Sequence, residues 1–404
     1  MIELTLKECC KFQEGYVNPS QTKREYFGGP IKWLRASDLN DSFVHSTEKT
    51  LSIKGFESAG KSAYLFQENS IAISKSGTIG RLGILKDKMC GNRAVINIHV
   101  NSNIADLKYI FYILKYKKKE LLLKAEGSIQ KNLYVSALET ITLNHRSIID
   151  QIKIASVLSA LDAKIELNNR INAELEAMAK TIYDYWFVQF DFPDKNGKPY
   201  KTSGGKMVWS EELKREIPEG WEVKELCEIA NITMGQSPPG ESYNEEGIGS
   251  VFYQGCTDFG NRFPTIRKFT SEPTRFARKN DILLSVRAPV GTTNFAKEDC
   301  CIGRGLAALN SKDNCMPYLY GVITNLKQIF DRRNTDGTTF GAITKDDLFS
   351  IKVISPRSEV LKKFDDLISP MFFKQNNNEF QNIELTAIRD WLLPMLMNGQ
   401  VRVS

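Results

Sequence analysis

A short stretch near the middle of the chain contains residues that could bind a metal ion and cleave a phosphodiester. Asp194 follows a proline, and Glu212 and Lys214 come later in the same stretch. An Asp and a Glu that hold Mg²⁺ beside a phosphate-orienting Lys form the outline of a nuclease site. However, Asp194-Lys-Asn-Gly197 is a turn sequence, and the following residues are rich in Gly, Ser, Thr and Lys. We therefore interpret residues 191–217 as a connector between two parts of the chain.

The other motifs with chemical potential are incomplete. GQSPPGES (235–242) has the glycine spacing of a phosphate-binding loop, but Glu241 stands where such a loop needs its lysine. Ser237-Pro-Pro-Gly240 lacks the Asn or Asp at the first position and the aromatic residue at the last position of an amino-methyltransferase tetrapeptide. The histidines are isolated in the sequence, and the eight cysteines show no zinc-binding spacing. We expect no catalytic residue, no metal site and no cofactor.

Length and composition favour a cytoplasmic protein of several domains. The 404 residues suggest about two or three domains. The composition is 42% hydrophobic and 25% charged, as in soluble globular proteins. No apolar run is long enough for a membrane span, and the N-terminus lacks the features of a signal peptide.

The chain contains an internal repeat. Matched positions recur 220 residues apart in the first part of each copy and 211 residues apart in the later part. Examples are Leu6 with Leu226, Asp38 with Asp258, Cys90 with Cys301, and Arg93 with Arg304. Because order and spacing persist over most of the chain, we predict two copies of one module, each a mixed α/β globule followed by a long helix.

The predicted long helices carry matching seams. Residues 146–187 contain neither Pro nor Gly, and their seam positions step by three and four. Both seams are apolar towards their ends and amide in the middle, at Asn168, Asn172, Asn378 and Asn382. Buried amides lower stability but fix register, so we expect these four residues to set the register of two antiparallel helices. The alternatives are two separate helical hairpins, or amides that are solvated on an exposed face.

Positive charge is concentrated in matched parts of the two copies. Residues 262–304 carry nine basic side chains and four acidic ones, and residues 61–93 carry six and two. Arginine suits guanine edges and phosphates, so we predict nucleic-acid binding, with a solvated basic face as the alternative. The predicted DNA-binding residues are Lys75, Ser76, Thr78, Arg81 and Arg93 in the first copy, and Gln236, Tyr253, Arg262, Arg267, Arg287 and Arg304 in the second. For Arg93 and Arg304, a structural role at matched positions is the alternative.

Four stretches resemble a known family. The central conserved region of Type I restriction-modification specificity subunits is similar to LDAKIELNNRINAELEAMAKTIYDYWF (161–187) and to FPDKNGKPYKTSGGKMVW (192–209). GQSPPGESYN (235–244) resembles the second recognition domain of the family, and LTAIRDWLLPMLMNGQV (385–401) resembles its C-terminal conserved helix. The resemblance covers essentially the whole chain and is most specific in the helix and connector.

The resemblance implies an α+β fold. It has two mixed α/β target recognition domains in pseudo-twofold, inverted arrangement, joined by two long antiparallel coiled-coil helices. The expected boundaries are 1–145 for the first target recognition domain, 146–190 for the central helix, 191–217 for the connector, 218–356 for the second target recognition domain and 357–404 for the C-terminal helix.

The resemblance also implies a function without catalysis. Such a subunit binds double-stranded DNA at a bipartite target, together with two copies of a modification subunit and with restriction subunits. The modification subunits bind S-adenosylmethionine and methylate adenine, whereas the restriction subunits translocate and cut DNA. One alternative is that the chain is itself a nuclease or methyltransferase, which assays with Mg²⁺ or S-adenosylmethionine would reveal. Another is a protein-binding scaffold, which would lack the steep salt dependence of DNA binding.

Overall fold

The computed structural model describes residues 3–127, 131–144, 146–335 and 342–403. The chain forms two compact units, the first made of Met1–Glu166 and Asn382–Ser404 and the second of Leu167–Gln381. Each unit therefore contains a globule and one half of each long helix. None of the helices in the described ranges is long and apolar enough to cross a membrane.

The globule of the first unit is built from short strands and helices. Its strands are β1 (Glu3–Thr5), β2 (Cys10–Glu14), β3 (Phe27–Leu34), β4 (Ser42–Val44), β5 (Thr50–Leu51), β6 (Ile71–Ser74), β7 (Leu82–Leu85), β8 (Cys90–Gly91), β9 (Val95–Val100) and β10 (Thr142–Asn144). Its helices are α1 (Leu6–Cys9), α2 (Ile53–Glu57), α3 (Leu107–Tyr116), α4 (Lys118–Leu123) and α5 (Val135–Glu139). The strands form sheets in the orders β2-β9-β6-β7-β4, β5-β3-β8 and β1-β10. Strands β6 and β7 are buried at every position, as their continuous apolar runs predict.

The second unit repeats this topology. Its strands are β11 (Met207–Ser210), β12 (Arg215–Pro218), β13 (Glu222–Glu225), β14 (Ala230–Met234), β15 (Tyr243–Asn244), β16 (Ser250–Tyr253), β17 (Phe269–Thr270), β18 (Phe276–Ala277), β19 (Ile282–Ser285), β20 (Thr293–Phe295), β21 (Cys300–Ile302), β22 (Leu306–Ser311) and β23 (Lys352–Ser355). Helices α7 (Leu226–Ile229), α8 (Met316–Thr335) and α9 (Lys345–Phe349) accompany them. The order β14-β22-β19-β20 corresponds to β2-β9-β6-β7, and β17-β16-β21 corresponds to β5-β3-β8. The predicted repeat of one mixed α/β module is therefore confirmed.

Two long helices complete both units. The first, α6 (Ile148–Tyr183), continues as a π-helical turn over Asp184–Val188, and the second is α10 (Ser358–Asn398). In the first unit, Arg146 donates to the Leu396 carbonyl at 3.0 Å and Arg389 donates to Asp162 at 2.7 Å. Later residues on the α6 side therefore contact earlier residues of α10, so the two helix halves run antiparallel.

The amide seam is buried in the second unit. Asn378 Nδ2 donates to Asn172 Oδ1 at 2.8 Å, and Gln375 Nε2 donates to the Asn172 carbonyl at 3.1 Å. Asn168, 1% exposed, lies about one turn earlier in the helix and donates to Gln381 at 3.3 Å. In the first unit, Asn382 is also buried. The amides therefore lie in packed helix interfaces and not on a solvated face.

The stretch interpreted as a connector packs into the second unit. Phe190, Phe192 and Trp221 are buried in its main core, and the Phe192 ring stacks on the Trp221 ring at 4.9 Å. Asp194 accepts the backbone N–H groups of residues 196 and 198 at 2.8 Å, so its carboxylate caps a turn. Lys214 forms an ion pair with the neighbouring Glu211. Across the described ranges, no group of three or more His, Cys, Asp and Glu side chains could hold a metal ion.

We predict that Asn378→Leu lowers the free energy of unfolding by about 1–3 kcal/mol, because Asn172 loses its amide partner inside the seam. Replacing Asn172 and Asn378 together by leucine should restore most of that loss, since both polar partners are then absent. Urea unfolding of the single and double variants measures both changes. Asn377→Leu, at the preceding half-buried position, serves as the control. A single-variant loss no larger than that of the control would contradict a structural role of the amide pair.

Candidate nucleic-acid interface

In the second unit, two sheets meet at a tight connection between β21 and β22. Ile302 pairs with Tyr253 at the end of β16, and Leu306 pairs with Ser285 at the end of β19. The connecting residues, Gly303–Gly305, place Arg304 between these pairs. Because both pairings end there, the residues that follow β16 and β19 lie beside Arg304.

The first unit has the same connection. Gly91 pairs with Leu34 at the end of β3, and Val95 pairs with Ser74 at the end of β6. Arg93 lies in the link between β8 and β9, as Arg304 does between β21 and β22. Both arginine side chains are exposed, and neither forms an ion pair with the described part of the chain. The geometry thus shows that the matched arginines occupy equivalent exposed positions.

Buried serines hold the loops that follow β6 and β19 in their conformation. Ser74 and Ser285 are buried, and each hydroxyl donates to a carbonyl of its own loop, that of Thr78 or that of Arg287. In both loops the chain turns at a glycine with positive φ whose N–H donates to the serine carbonyl at 3.0 Å. These loops carry the predicted residues Lys75, Ser76, Thr78 and Arg81 in the first unit and Arg287 in the second.

A polar cavity of about 520 Å³ lies at the connection in the second unit. The basic side chains that line it are Arg267, Lys268, Arg287 and Arg304, and the acidic ones are Asp258 and Glu245. Asp258 accepts from Arg267 Nε at 2.6 Å, and Arg267 Nη2 donates to the Thr257 carbonyl at 2.7 Å. Because four basic side chains line the cavity against two carboxylates, the cavity has an excess of positive charge.

Two predicted DNA-binding residues lie inside the second unit. Tyr253 is 1% exposed, and its ring packs in an apolar cluster with Leu283 and Ile302; burial raises the pKa of its hydroxyl. Arg262 is 8% exposed, and its guanidinium lies 4.6 Å from the centre of the Phe295 ring. Neither side chain can reach a base without leaving the core. We therefore correct the prediction for both residues and assign them structural roles.

Arg262 is held by several contacts. Its guanidinium also lies 5.0 Å from the Phe372 ring, and its Nε donates to Asn376 Oδ1 at 2.5 Å. Burial lowers the pKa of this guanidinium, with nearby Glu176 opposing the shift. Asn376 and Phe372 both belong to α10, so Arg262 fastens the globule of the second unit to its own half of that helix.

The remaining predicted residues differ in the exposure of their side chains and in the contacts that these side chains already make. Lys75 is largely buried and forms a 2.9 Å ion pair with Glu14, which neutralises it. Gln236 is exposed but does not line the cavity, and its carbonyl accepts from the Thr274 hydroxyl. Arg81 is half-buried, whereas Thr78 is exposed. The residues whose side chains stay available for binding are Ser76, Thr78, Arg81 and Arg93 in the first unit, and Gln236, Arg287 and Arg304 in the second. Arg267 is exposed, but its guanidinium is bound to Asp258.

Sequence reasoning missed Gln254 and Lys268, which also line the cavity. Gln254 directly follows β16, and Arg35 directly follows the matching strand β3. Arg35 is paired with Glu48 at 2.7 Å and is 19% exposed. The signal for Gln254 was its place between a strand and the repeated aspartate, Asp258.

Comparison with known proteins gives a consistent result. The family described as Type I restriction modification DNA specificity domain matches residues 2–177 and 218–382. The MjaIX specificity subunit of a type I restriction enzyme from Methanocaldococcus jannaschii is 28% identical over 96% of this chain and 91% of its own. The MjaX specificity subunit from the same organism is 32% identical over 82% of this chain and 77% of its own. The crystal structure of a type I system S subunit from M. genitalium has a similar fold, with a TM-score of 0.58 at 18% identity, covering 98% of this chain and 96% of that one.

We predict that Arg262→Ala lowers the free energy of unfolding by about 2–3 kcal/mol, because a cation–π contact and a charged hydrogen bond are lost together. Urea unfolding of the purified chain measures the change. Arg275→Ala, which removes an exposed arginine of the same unit, should change stability by less than about 0.5 kcal/mol. Equal stability of the two variants would refute the structural role of Arg262.

Proposed function

The chain belongs to the type I restriction-modification DNA specificity family, and we propose that each of its two globular units recognises one half of a bipartite DNA target. It supplies sequence specificity and no catalytic group, while partner subunits methylate and cut the DNA. The observation that carries the proposal is the recurrence of exposed arginines, Arg93 and Arg304, at the same connection between sheets in both units. Exposed basic side chains on matched loops suit two similar contacts with one polyanion.

The long helices are proposed as the docking surface for two modification subunits and, through them, for restriction subunits. In the second unit they expose Phe373, 67% accessible, and Met178, 50% accessible. In the first unit they expose Trp391, 58% accessible, and Ile388, 46% accessible. Large apolar side chains on a surface are typical of protein interfaces. Because each unit presents such residues on its own helix halves, we propose one modification subunit for each, and a cytoplasmic location for the complex.

Asn168, Asn172, Asn378 and Asn382 are proposed to fix the register of the two helices. A seam of leucine at these positions would pack more strongly but would tolerate shifts by a heptad. The hydrogen bond between Asn378 and Asn172 forms in one register only, which supports this role.

Exchange of residues 1–145 for the equivalent part of a relative tests whether each unit recognises its own half of the DNA target. We expect one half of the methylated motif to change and the other to remain, because the second unit keeps all of its loops. The measurement is methylation sequencing of cells that carry the exchanged chain with its modification subunit. A change in both halves would show that the units do not act independently.

Arg93→Ala and Arg304→Ala test whether the matched arginines contact DNA. Each substitution should weaken DNA binding and reduce the slope of log affinity against log salt by about one if it removes a phosphate contact. The control is Lys279→Ala, which removes an exposed cation. Lys279 precedes β19, at the opposite end of that strand from Arg287, so this variant should leave the slope unchanged. Unchanged DNA binding with lower thermal stability would instead support structural roles for the two arginines.

A further inference from the structure

Gln254 presents a free amide to the cavity of the second unit. Its side chain is exposed and lines the cavity together with Arg287 and Arg304. Within the described part of the chain, the amide donates and accepts no hydrogen bond. A glutamine amide has one acceptor oxygen and two donor hydrogens, so all of its hydrogen-bonding capacity is available to a ligand.

The backbone of Gln254 is held in place. Its carbonyl accepts from Gly305 N at 3.1 Å, and the preceding Tyr253 carbonyl accepts from Gly303 N at 2.8 Å. The approach is close, since a Cβ at position 305 would lie 2.7 Å from the Gln254 carbonyl oxygen. Glycine at this position therefore lets the connection that carries Arg304 lie directly against Gln254. A fixed backbone lowers the entropy lost when the side chain binds.

The surroundings of Gln254 suit DNA more than a neutral ligand. Arg287 and Arg304 are exposed beside it, and Arg267 is oriented by Asp258. The remaining carboxylate of the cavity belongs to Glu245. Cations attract the phosphates of the DNA backbone, whereas a neutral amide can form hydrogen bonds with a base edge. The cavity places both kinds of group side by side.

We propose that this cavity is the base-reading subsite of the second unit and that Gln254 pairs with an adenine in the major groove. Its Oε1 accepts from adenine N6 and its Nε2 donates to adenine N7, the pair of contacts that distinguishes A·T from the other base pairs. Arg287 and Arg304 hold the flanking phosphates. This inference rests on the proposed function, because it requires the second unit to contact DNA.

The matching position in the first unit does not offer such a contact. Arg35 follows β3 as Gln254 follows β16, but it is paired with Glu48 and lies close to Asp38. The two units therefore present different chemistry at one structural position, and adenine recognition at this point belongs to the second unit alone.

The test uses the complex of the full chain with its modification subunit. The wild-type motif is first found by methylation sequencing, and binding is then measured to duplexes in which each base pair of the motif is replaced in turn. We expect Gln254→Ala to lose about a 10- to 100-fold preference for A·T at a single pair, in the half read by the second unit. Gln254→Glu should also lose that preference and favour C·G there, because a carboxylate accepts from cytosine N4 but repels adenine N7.

Gln67→Ala removes an exposed amide that precedes β6 in the first unit, and it should leave every preference unchanged. If Gln254→Ala is less stable than wild type in thermal unfolding, the base preferences of Gln254→Glu decide between the outcomes, because this variant keeps the length of the side chain. The proposal is overturned if the two variants at Gln254 leave every preference unchanged, or weaken binding to all duplexes alike. A wild-type complex without any sequence preference would instead refute the proposed function itself.

Discussion

The burial of the helix seam is the interaction on which both units depend. A helix as long as α6 or α10, with amides in its seam, is not stable alone in water. Each half is covered by the globule of its own unit: Leu158 of α6 and Leu393 of α10 join the core of the first unit, and Tyr183 and Phe364 join that of the second. The core of the first unit thus contains residues from both ends of the sequence. A chain that stopped before Asn382 would leave that core incomplete.

The repeat could be predicted from the sequence because matched residues have the same structural role in both units. Leu6 and Leu226 are both fully buried, each in the short helix that precedes the first strand of corresponding sheets, β2 in the first unit and β14 in the second. Asp38 and Asp258 both bind an arginine of their own loop, but this arginine lies three residues earlier in the first unit, at Arg35, and nine residues later in the second, at Arg267. The position of the carboxylate could therefore be matched between the copies, whereas its partner could not. The buried seam amides could likewise be found, because their three- and four-residue spacing is a local property of the sequence.

The environment of single charged residues could not be predicted, because distant parts of the chain create it. Arg262 lies in a basic stretch, yet aromatic rings from β20 and α10 enclose it. Lys75 is neutralised by Glu14, which is 61 residues away in sequence. The segment after α6 has the composition of a loop, but its aromatic residues complete a core. Local composition gives charge and turn propensity, whereas burial depends on tertiary packing.

The same packing separates stability from specificity in this fold. Backbone pairing, the buried Ser74 and Ser285, and the glycines at the connection hold the loops, and none of these contacts uses an exposed side chain. The side chains on the loops can then differ while the loops keep their shape. The molecule already contains such a difference, because Gln254 in the second unit stands where the first unit has Arg35, on strand ends paired in the same way. A module built in this way can change the exposed side chains on its loops without a change in its core, since the residues that hold the loops and the residues exposed on them are different residues.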